Sequence, residues 1–485
     1  MLDRLTTANS WWVDRAAIEY DQHIRAWVEA PTRWTPRVVQ ELDLAAPAIY
    51  TLRGPRQVGK TTALKLMIRR SMQELPEDEV LYYSCDLDDD PDAIREVVQT
   101  AKRVRPPGKR WRIFLDEVTS ISGWERGVKW LWDNTEARND TFVVTGSSAV
   151  DLASGADRLP GRRGRVRRPD RILLPLSFSD FARLHGLVPP VEVQAHQFLN
   201  DDIQGKLEQA QVQLPELQTL FERYLHCGGF PTAVVEEHVT RHVSDQTLST
   251  LWGLVENEVR RQRMDPVRAF RTIEHIVRAL SGPTEWTALA ETLDADRRTA
   301  EDYTRLLALM FVVLVLHKVD PRRGGPQLRA QRKLYLVDPL FAYLPQRLRQ
   351  SDATSDQSSL VENVVVLGLF RSEERPLVEE FALPQALFYW RSKSGGEVDA
   401  LVGTARHTPV EVKYRGNLDR RDIAALTRSF DRGVVVTRDT LDLKDRRFPQ
   451  VPASLFLWIL AGESVVAATS GSDLQTGAGG AGPRR

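Results

Sequence analysis

The chain has 485 residues, enough for several domains, and its 66 basic side chains balance 66 acidic ones, so net charge gives no argument for nucleic acid or a membrane surface. Hydrophobic content of 42% is ordinary for a globular protein, and two cysteines, Cys85 and Cys227, exclude a disulfide framework or a cysteine-rich zinc cluster. No apolar run reaches the roughly eighteen residues of a membrane span. The first residues lack a basic-then-apolar signal layout, so a cytoplasmic setting without membrane partners is expected.

Residues 1–44 read as an amphipathic, helical lead-in, with Trp11, Trp12, Trp27 and Trp34 among charged residues in positions that suggest packing. From Ile49 a β-branched, apolar run predicts a strand. It is followed by Gly54-Pro55-Arg56-Gln57-Val58-Gly59-Lys60-Thr61-Thr62 and then by a helix-like segment, Ala63 to Arg70. The pattern is G-x-x-x-x-G-K-[ST] in the strand–loop–helix setting that a phosphate loop requires. Gly54 and Gly59 let the backbone turn so that its N–H groups face a phosphate chain, and the following helix adds its positive end. Lys60 would reach the β- and γ-phosphates of ATP, and the Thr61 hydroxyl would coordinate Mg2+.

Val80 to Cys85 predicts a second strand, Arg112 to Glu117 a third, Thr141 to Ser148 a fourth and Arg171 to Leu176 a fifth. Strands alternating with helices predict an α/β fold: a parallel sheet covered on both faces, with ligands at the strands' carboxyl ends. The third strand ends in Asp116-Glu117, which places Asp116 to hold Mg2+ and Glu117 to activate the attacking water. The fourth ends in Thr145-Gly146-Ser147-Ser148, and Ser147 is the choice for a γ-phosphate-sensing hydroxyl. Between Arg158 and Arg171, seven arginines in fourteen positions form a solvated or anion-holding stretch. Arg162 or Arg163 could act there as an arginine finger, Arg162 being preferred, and such a finger acting between chains would imply a homo-oligomer.

These motifs, together with Leu159-Pro160-Gly161-Arg162, Leu174-Pro175-Leu176-Ser177-Phe178-Ser179-Asp180-Phe181 and Gly228-Gly229-Phe230-Pro231, resemble the prokaryotic AAA-type ATPases that carry a DUF4143 domain. The resemblance covers about residues 30–460. It implies a P-loop NTPase core of the AAA_14 kind over 45–180, a helical region over 181–271, a winged helix over 272–345 and a C-terminal nuclease-like domain.

Residues 182–270 read mainly as helices, broken at Pro189-Pro190 and at Gly228 to Pro231. Thr272 to Leu280, Thr287 to Leu293 and Arg297 to Leu309 predict three helices, followed by strands at Val312 to Lys318 and Lys333 to Val337. That layout is a winged helix, with Arg297, Arg298 and Thr299 opening its third helix and Arg322, Arg323 and Arg329 on its wing, the positions where such folds contact DNA. Packing against protein is the competing use. A linker over 346–359 leads to the last domain.

That domain, over 360–462, opens with the apolar helix Leu360 to Leu369, which carries Glu362. Strands are expected at Leu387 to Arg391, Glu397 to Val402 and Val410 to Lys413. Period-two alternation puts Glu411 and Lys413 on one face, beside Asp399. The order Glu…Asp…Glu-x-Lys resembles the PD-(D/E)xK nucleases and implies a restriction-endonuclease-like α/β domain. Glu362, Asp399 and Glu411 would then hold Mg2+, and Lys413 would position the attacking water. Arg415 to Arg428 reads as a basic, helical stretch, and strands at Gly433 to Thr437 and Leu455 to Leu460 would close the sheet. The Gly-, Ala- and Ser-rich tail over 463–485 reads as disordered. Two functions follow as expectations: an ATP-hydrolysing enzyme that acts on DNA through a metal-dependent nuclease-like domain, or a nucleotide-gated switch whose nuclease-like domain cuts nothing.

Overall fold

The computed structural model describes residues 2–104, 110–146, 151, 152, 155, 159, 161–166, 168–320, 324–373, 381–404 and 406–460. Its first sheet has five parallel strands, β1 (Ala48–Arg53), β2 (Val80–Ser84), β3 (Arg112–Asp116), β4 (Thr141–Thr145) and β5 (Asp170–Ile172), in the order β2-β3-β4-β1-β5. β1 to β4 are almost wholly buried, as continuous apolar runs covered on both faces should be. The register sets Leu52 beside Thr145 and Ser84 beside Asp116, so the polar carboxyl ends of β1, β3 and β4 open on one rim. This is the α/β core the alternation predicts.

The N-terminal lead-in packs on this core. The indole N–H groups of Trp11 and Trp12 both donate to the Val80 carbonyl, at 3.1 and 3.0 Å, which accounts for those two tryptophans as packing. After β5 come the helices Phe178–Leu184, Asp201–Ala210, Leu214–Cys227, Pro231–Thr240 and Asp245–Arg261. Three more helices, Pro266–Arg278, Trp286–Thr292 and Arg297–Leu309, accompany an antiparallel sheet of β6 (Pro283–Thr284), β7 (Val313–His317) and β8 (Arg332–Leu336), ordered β6-β8-β7.

The last unit begins with the helix Gln357–Glu373. Its mixed sheet contains β9 (Leu387–Arg391), β10 (Glu397–Val402), β11 (Thr408–Lys413), β12 (Val434–Thr437) and β13 (Gln450–Pro452), ordered β13-β12-β11-β10-β9. Two local expectations are corrected. Residues 455–460 lie in and just beyond the helix Ala453–Ile459 rather than in a strand, because a short apolar run buried all round carries no periodicity to distinguish the two. The basic stretch 415–428 is mostly turns, with helix only over Ala424–Ser429; Asp419 and Asp422 bond to nearby backbone N–H groups and hold those turns.

The buried apolar core has two main bodies. One gathers Leu5 to Leu173 around the parallel sheet, and the other runs without a break from Ile172 to Leu460. They meet at a junction built from two of the motifs the sequence offered. Leu176 N–H donates to the Gly229 carbonyl (2.8 Å), Gly229 N–H donates to the buried Asp338 carboxylate (2.8 Å), and Arg371 donates to the Pro175 carbonyl (2.6 Å). A Cβ on Gly229 would lie 2.0 Å from the Leu176 carbonyl oxygen, so only glycine permits this approach. Leu174-Pro175-Leu176 and Gly228-Gly229 are thus the seam between the sheet and everything that follows.

Candidate functional site

The loop after β1 has the backbone its sequence requires. Gly54, Gln57 and Gly59 all adopt positive φ (156°, 60° and 94°), and a Cβ on Gly54 would sit 2.1 Å from the Leu173 carbonyl oxygen. The helix Lys60–Glu74 starts directly on this loop, so its first N–H groups and its dipole face the same space. Lys60 is buried, and its Nζ donates to the carbonyls of Gly54 (3.0 Å) and Pro55 (2.9 Å). Burial pulls its pKa down to about 8, against the opposing charges of Glu117 and Asp116. Asp116 and Glu117 stand at the carboxyl end of β3, the same rim of the parallel sheet on which β1 runs into this loop.

Asp116 ends β3, only 2% exposed, and accepts from the Tyr82 hydroxyl (3.2 Å) and the Glu117 N–H (3.1 Å). Glu117 has φ 52°, a left-handed conformation that costs a non-glycine residue roughly 1 kcal/mol or more. A buried carboxylate at the end of β3, a cationic lysine and a glycine-held loop form a set of groups that fits a magnesium–triphosphate. Thr61 and Asp116 would hold the ion, and the loop N–H groups with Lys60 would hold the phosphates.

A cavity of about 200 Å³ opens beside this loop, lined by Gly59 and Thr62 from the loop and helix, by His23, Trp27, Trp34 and Pro36 from the lead-in, and by Leu184 and Val234 from the helical region. Trp27 Nε1 donates to the Trp34 carbonyl (2.8 Å), whereas Trp34 Nε1 is buried without a hydrogen-bond partner among the described residues. An apolar, aromatic cavity next to a phosphate loop has the character of a nucleobase pocket. Sequence reasoning left Trp27 and Trp34 as packing; their place became visible only when the lead-in folded over the loop.

The helix Asp245–Arg261 reaches the same region from outside the sheet. Its buried Glu258 lies 3.6 Å from the Arg56 guanidinium in the loop. Its last residue, Arg261, donates to the Thr119 carbonyl (3.1 Å), just past Glu117, and pairs with Asp151 (2.8 Å). Neither residue has a role that the sequence alone assigns.

Three arginines of the stretch are paired, while Arg158 and Arg167 lie outside the described residues. Arg162 makes a two-pronged bond to Asp133 (2.7 and 3.0 Å), Arg163 pairs with Asp170, and Arg171 pairs with Glu41 (3.2 Å). Arg162 is thus placed on the surface beside the helix Trp124–Asn134. Ser147, Arg322, Arg323 and the tail over 463–485 lie outside the described residues.

The C-terminal carboxylates do converge. Lys413 pairs with Glu411 at 2.6 Å, and Val412 N–H donates to Asp399 (2.9 Å). At the centre of the cluster, however, is a residue the sequence reading passed over: Lys333 of β8, 1% exposed, with its Nζ 3.1 Å from Glu362, 2.7 Å from Glu397 and 3.2 Å from Asp399. Tyr335, two residues on and so on the same face of β8, donates to Glu362 (2.7 Å). Burial and the neighbouring Asp399 charge push the Glu411 carboxyl up to about 8 and the Glu362 carboxyl up to about 7. One oxygen of buried Glu411 has no hydrogen-bond partner among the described residues. Among those residues, no three His, Cys, Asp or Glu side chains are placed to hold a metal ion. Glu397 carried a legible signal, since Glu397-Val398-Asp399 puts two acids on one strand face.

Family models match three segments: the AAA domain AAA_14 over residues 46–182, the domain of unknown function DUF8612 over 218–350, and the domain of unknown function DUF4143 over 357–456. The chain is 23% identical over 335 residues to an uncharacterized protein of Methanocaldococcus jannaschii, a match covering 66% of this chain and 67% of that protein. It is 28% identical over 159 residues to the cell division cycle protein 48 homolog of Archaeoglobus fulgidus, a match covering 29% of this chain and 20% of that one. Similar solved structures include the Walker-type ATPase of Pyrococcus abyssi (TM-score 0.37, 14% identity, 63% of this chain and 93% of that one). The Orc1 protein of Aeropyrum pernix in complex with DNA is another (TM-score 0.26, 14% identity, 68% and 90%). No helix among the described residues is long and apolar enough to cross a membrane. Residues 46–182 are an AAA domain of the AAA_14 family on a P-loop fold, and the same chain carries a DUF4143 domain over 357–456.

Proposed function

We propose that this protein binds and hydrolyses ATP and uses the nucleotide state to reposition its helical region. The observation that carries the reading is a glycine-held loop gripping Lys60 on the rim of the sheet where β3 ends in Asp116 and Glu117. The loop N–H groups and Lys60 bind and orient the phosphate chain, and the Trp27–Trp34 cavity takes the base and excludes water from it. Thr61 and Asp116 would hold a magnesium ion, which would supply charge neutralisation to the phosphate chain. Glu117 accepts a proton from the attacking water; its left-handed backbone is a strain of the kind that collects at working sites. Arg56–Glu258 and Arg261 with the Thr119 carbonyl support a direct link from the phosphate-sensing loops to the helix Asp245–Arg261.

DNA is the partner we propose for the unit spanning 272–345, read as a winged helix. Its third helix opens with exposed Arg297 and Arg298, and Arg329 is exposed on the β7–β8 connection. Phosphate release should be tested in the wild type and in Glu117→Gln. The variant should keep ATP binding and lose turnover by about a hundredfold or more, an effect of the size expected for a misplaced nucleophile. DNA retention should weaken linearly in log salt, and Arg298→Glu should lower the slope by about 1 for each phosphate the side chain no longer neutralises. Equal turnover in Glu117→Gln, or retention that ignores salt, would remove the respective half of the proposal.

A further inference from the structure

The sheet order of the C-terminal unit and its Glu…Asp…Glu-x-Lys pattern lead one to expect a divalent metal among Glu362, Asp399 and Glu411. The space is taken. Lys333 Nζ has three N–H donors and three carboxylate oxygens within 2.7–3.2 Å, one each from Glu362, Glu397 and Asp399. A magnesium or manganese ion bound to the same oxygens would need them at about 2.0–2.2 Å, and an ammonium and a divalent ion cannot share so small a volume.

The lysine is held there by more than charge. β6 is only two residues long and pairs β8 at Arg332 and Lys333, leaving Leu336 without a strand on that side. The buried Asn363 side chain fills the gap, accepting from Leu336 N–H (2.7 Å) and donating to the Leu336 carbonyl (2.9 Å). Tyr389 of β9 donates to the Gln331 carbonyl (2.7 Å), and Val319 N–H, just beyond β7, donates to the Tyr389 carbonyl (2.9 Å). The strand that delivers Lys333 is thus fastened to the C-terminal unit before and after the lysine.

We propose that Lys333 is the resident cation of this carboxylate cluster, replacing the divalent metal, and that the cluster locks the β6–β8 sheet to the C-terminal unit instead of cleaving phosphodiesters. The proposal is independent of nucleotide binding at the first sheet. Three cations already face its four carboxylates without a metal: Lys333 and Lys413 stand among them, and Arg391 lies 3.7 Å from Glu397. The chain thereby keeps the fold and most of the acids of a metal site while supplying the cation from another part of itself.

The test is manganese binding to the full chain, followed by electron paramagnetic resonance without nucleotide, in the wild type, Asp399→Asn, Lys333→Met and Lys333→Met/Asp399→Asn. The wild type and Asp399→Asn should bind manganese equally, Lys333→Met should bind one further ion, and the double variant should lose it. If Lys333→Met fails to fold, the double variant, with one charge fewer to balance, should recover native circular dichroism. The proposal is overturned if wild-type manganese binding is lost in Asp399→Asn, or if folded Lys333→Met gains no ion. It is equally overturned if Lys333→Met fails to fold and the double variant does too, or if the wild type cuts DNA with magnesium and Glu411→Ala does not.

Discussion

Glu258, buried in a helix some two hundred residues further along the chain, lies 3.6 Å from the guanidinium of Arg56 in the phosphate loop. It also accepts from Gln262 one turn on (3.1 Å), so its carboxylate bridges the loop and its own helix. A charged pair reaching into such a loop gives the helical region a direct stake in whether phosphate is present.

Glu258→Gln keeps the shape and removes the charge. Breaking a largely buried pair in this way should cost on the order of 2–3 kcal/mol of stability. It should also uncouple the two regions: hydrogen exchange in the helix Asp245–Arg261 should respond to ATP in the wild type and respond weakly in the variant. An unchanged ATP response in Glu258→Gln would show that the pair carries no signal.

Lys60 gives the site a pH signature. Its folded-state pKa, pulled down to about 8 by burial, lies below that of an exposed lysine, so the nucleotide-free protein releases this proton as pH rises through about 8. A bound triphosphate favours the charged form and raises the pKa again. Binding should therefore take up a proton, little below pH 7 and approaching one per nucleotide near pH 9, and ATP affinity should fall as pH rises through that window. Calorimetry in buffers of differing ionisation enthalpy measures the uptake, and Lys60→Met should abolish it.

The glycine seam makes a separate prediction about stability. Gly229→Ala must push a Cβ against the Leu176 carbonyl at 2.0 Å, with backbone on both sides and no flexible side chain to yield. A loss of about 2–3 kcal/mol is expected, typical of overpacking at a rigid site. Gly205, in the helix Asp201–Ala210, has nothing within 4 Å of its added Cβ, and Gly205→Ala should instead stabilise by roughly 0.5–1 kcal/mol. Thermal melts of the two variants side by side separate crowding from a general effect of losing glycine.

How far the sequence could be read depended on whether the information was local. The phosphate loop, Asp116-Glu117 and the Glu411–Lys413 alternation are each made of residues only a few positions apart, so local sequence alone defines each set. Gly228-Gly229 and Leu174 to Leu176 were visible as motifs, yet their meaning lay in a contact with each other and with Asp338, which no local rule predicts. Lys333 was hidden for the same reason: it sat in a plausible strand of one unit, while the acids it neutralises belong to another. The helix Ala453–Ile459 was missed because burial on all sides erases the pattern that would identify it.

The claim that a nucleotide occupies the space between the glycine loop and the end of β3 is most directly tested by titrating magnesium–ATP into the full chain in a calorimeter, beside Lys60→Ala. Saturable one-to-one binding by the wild type, weakened at least tenfold in Lys60→Ala, is the predicted result. No heat of binding in the folded wild type, or equal affinity in the variant, would contradict the account.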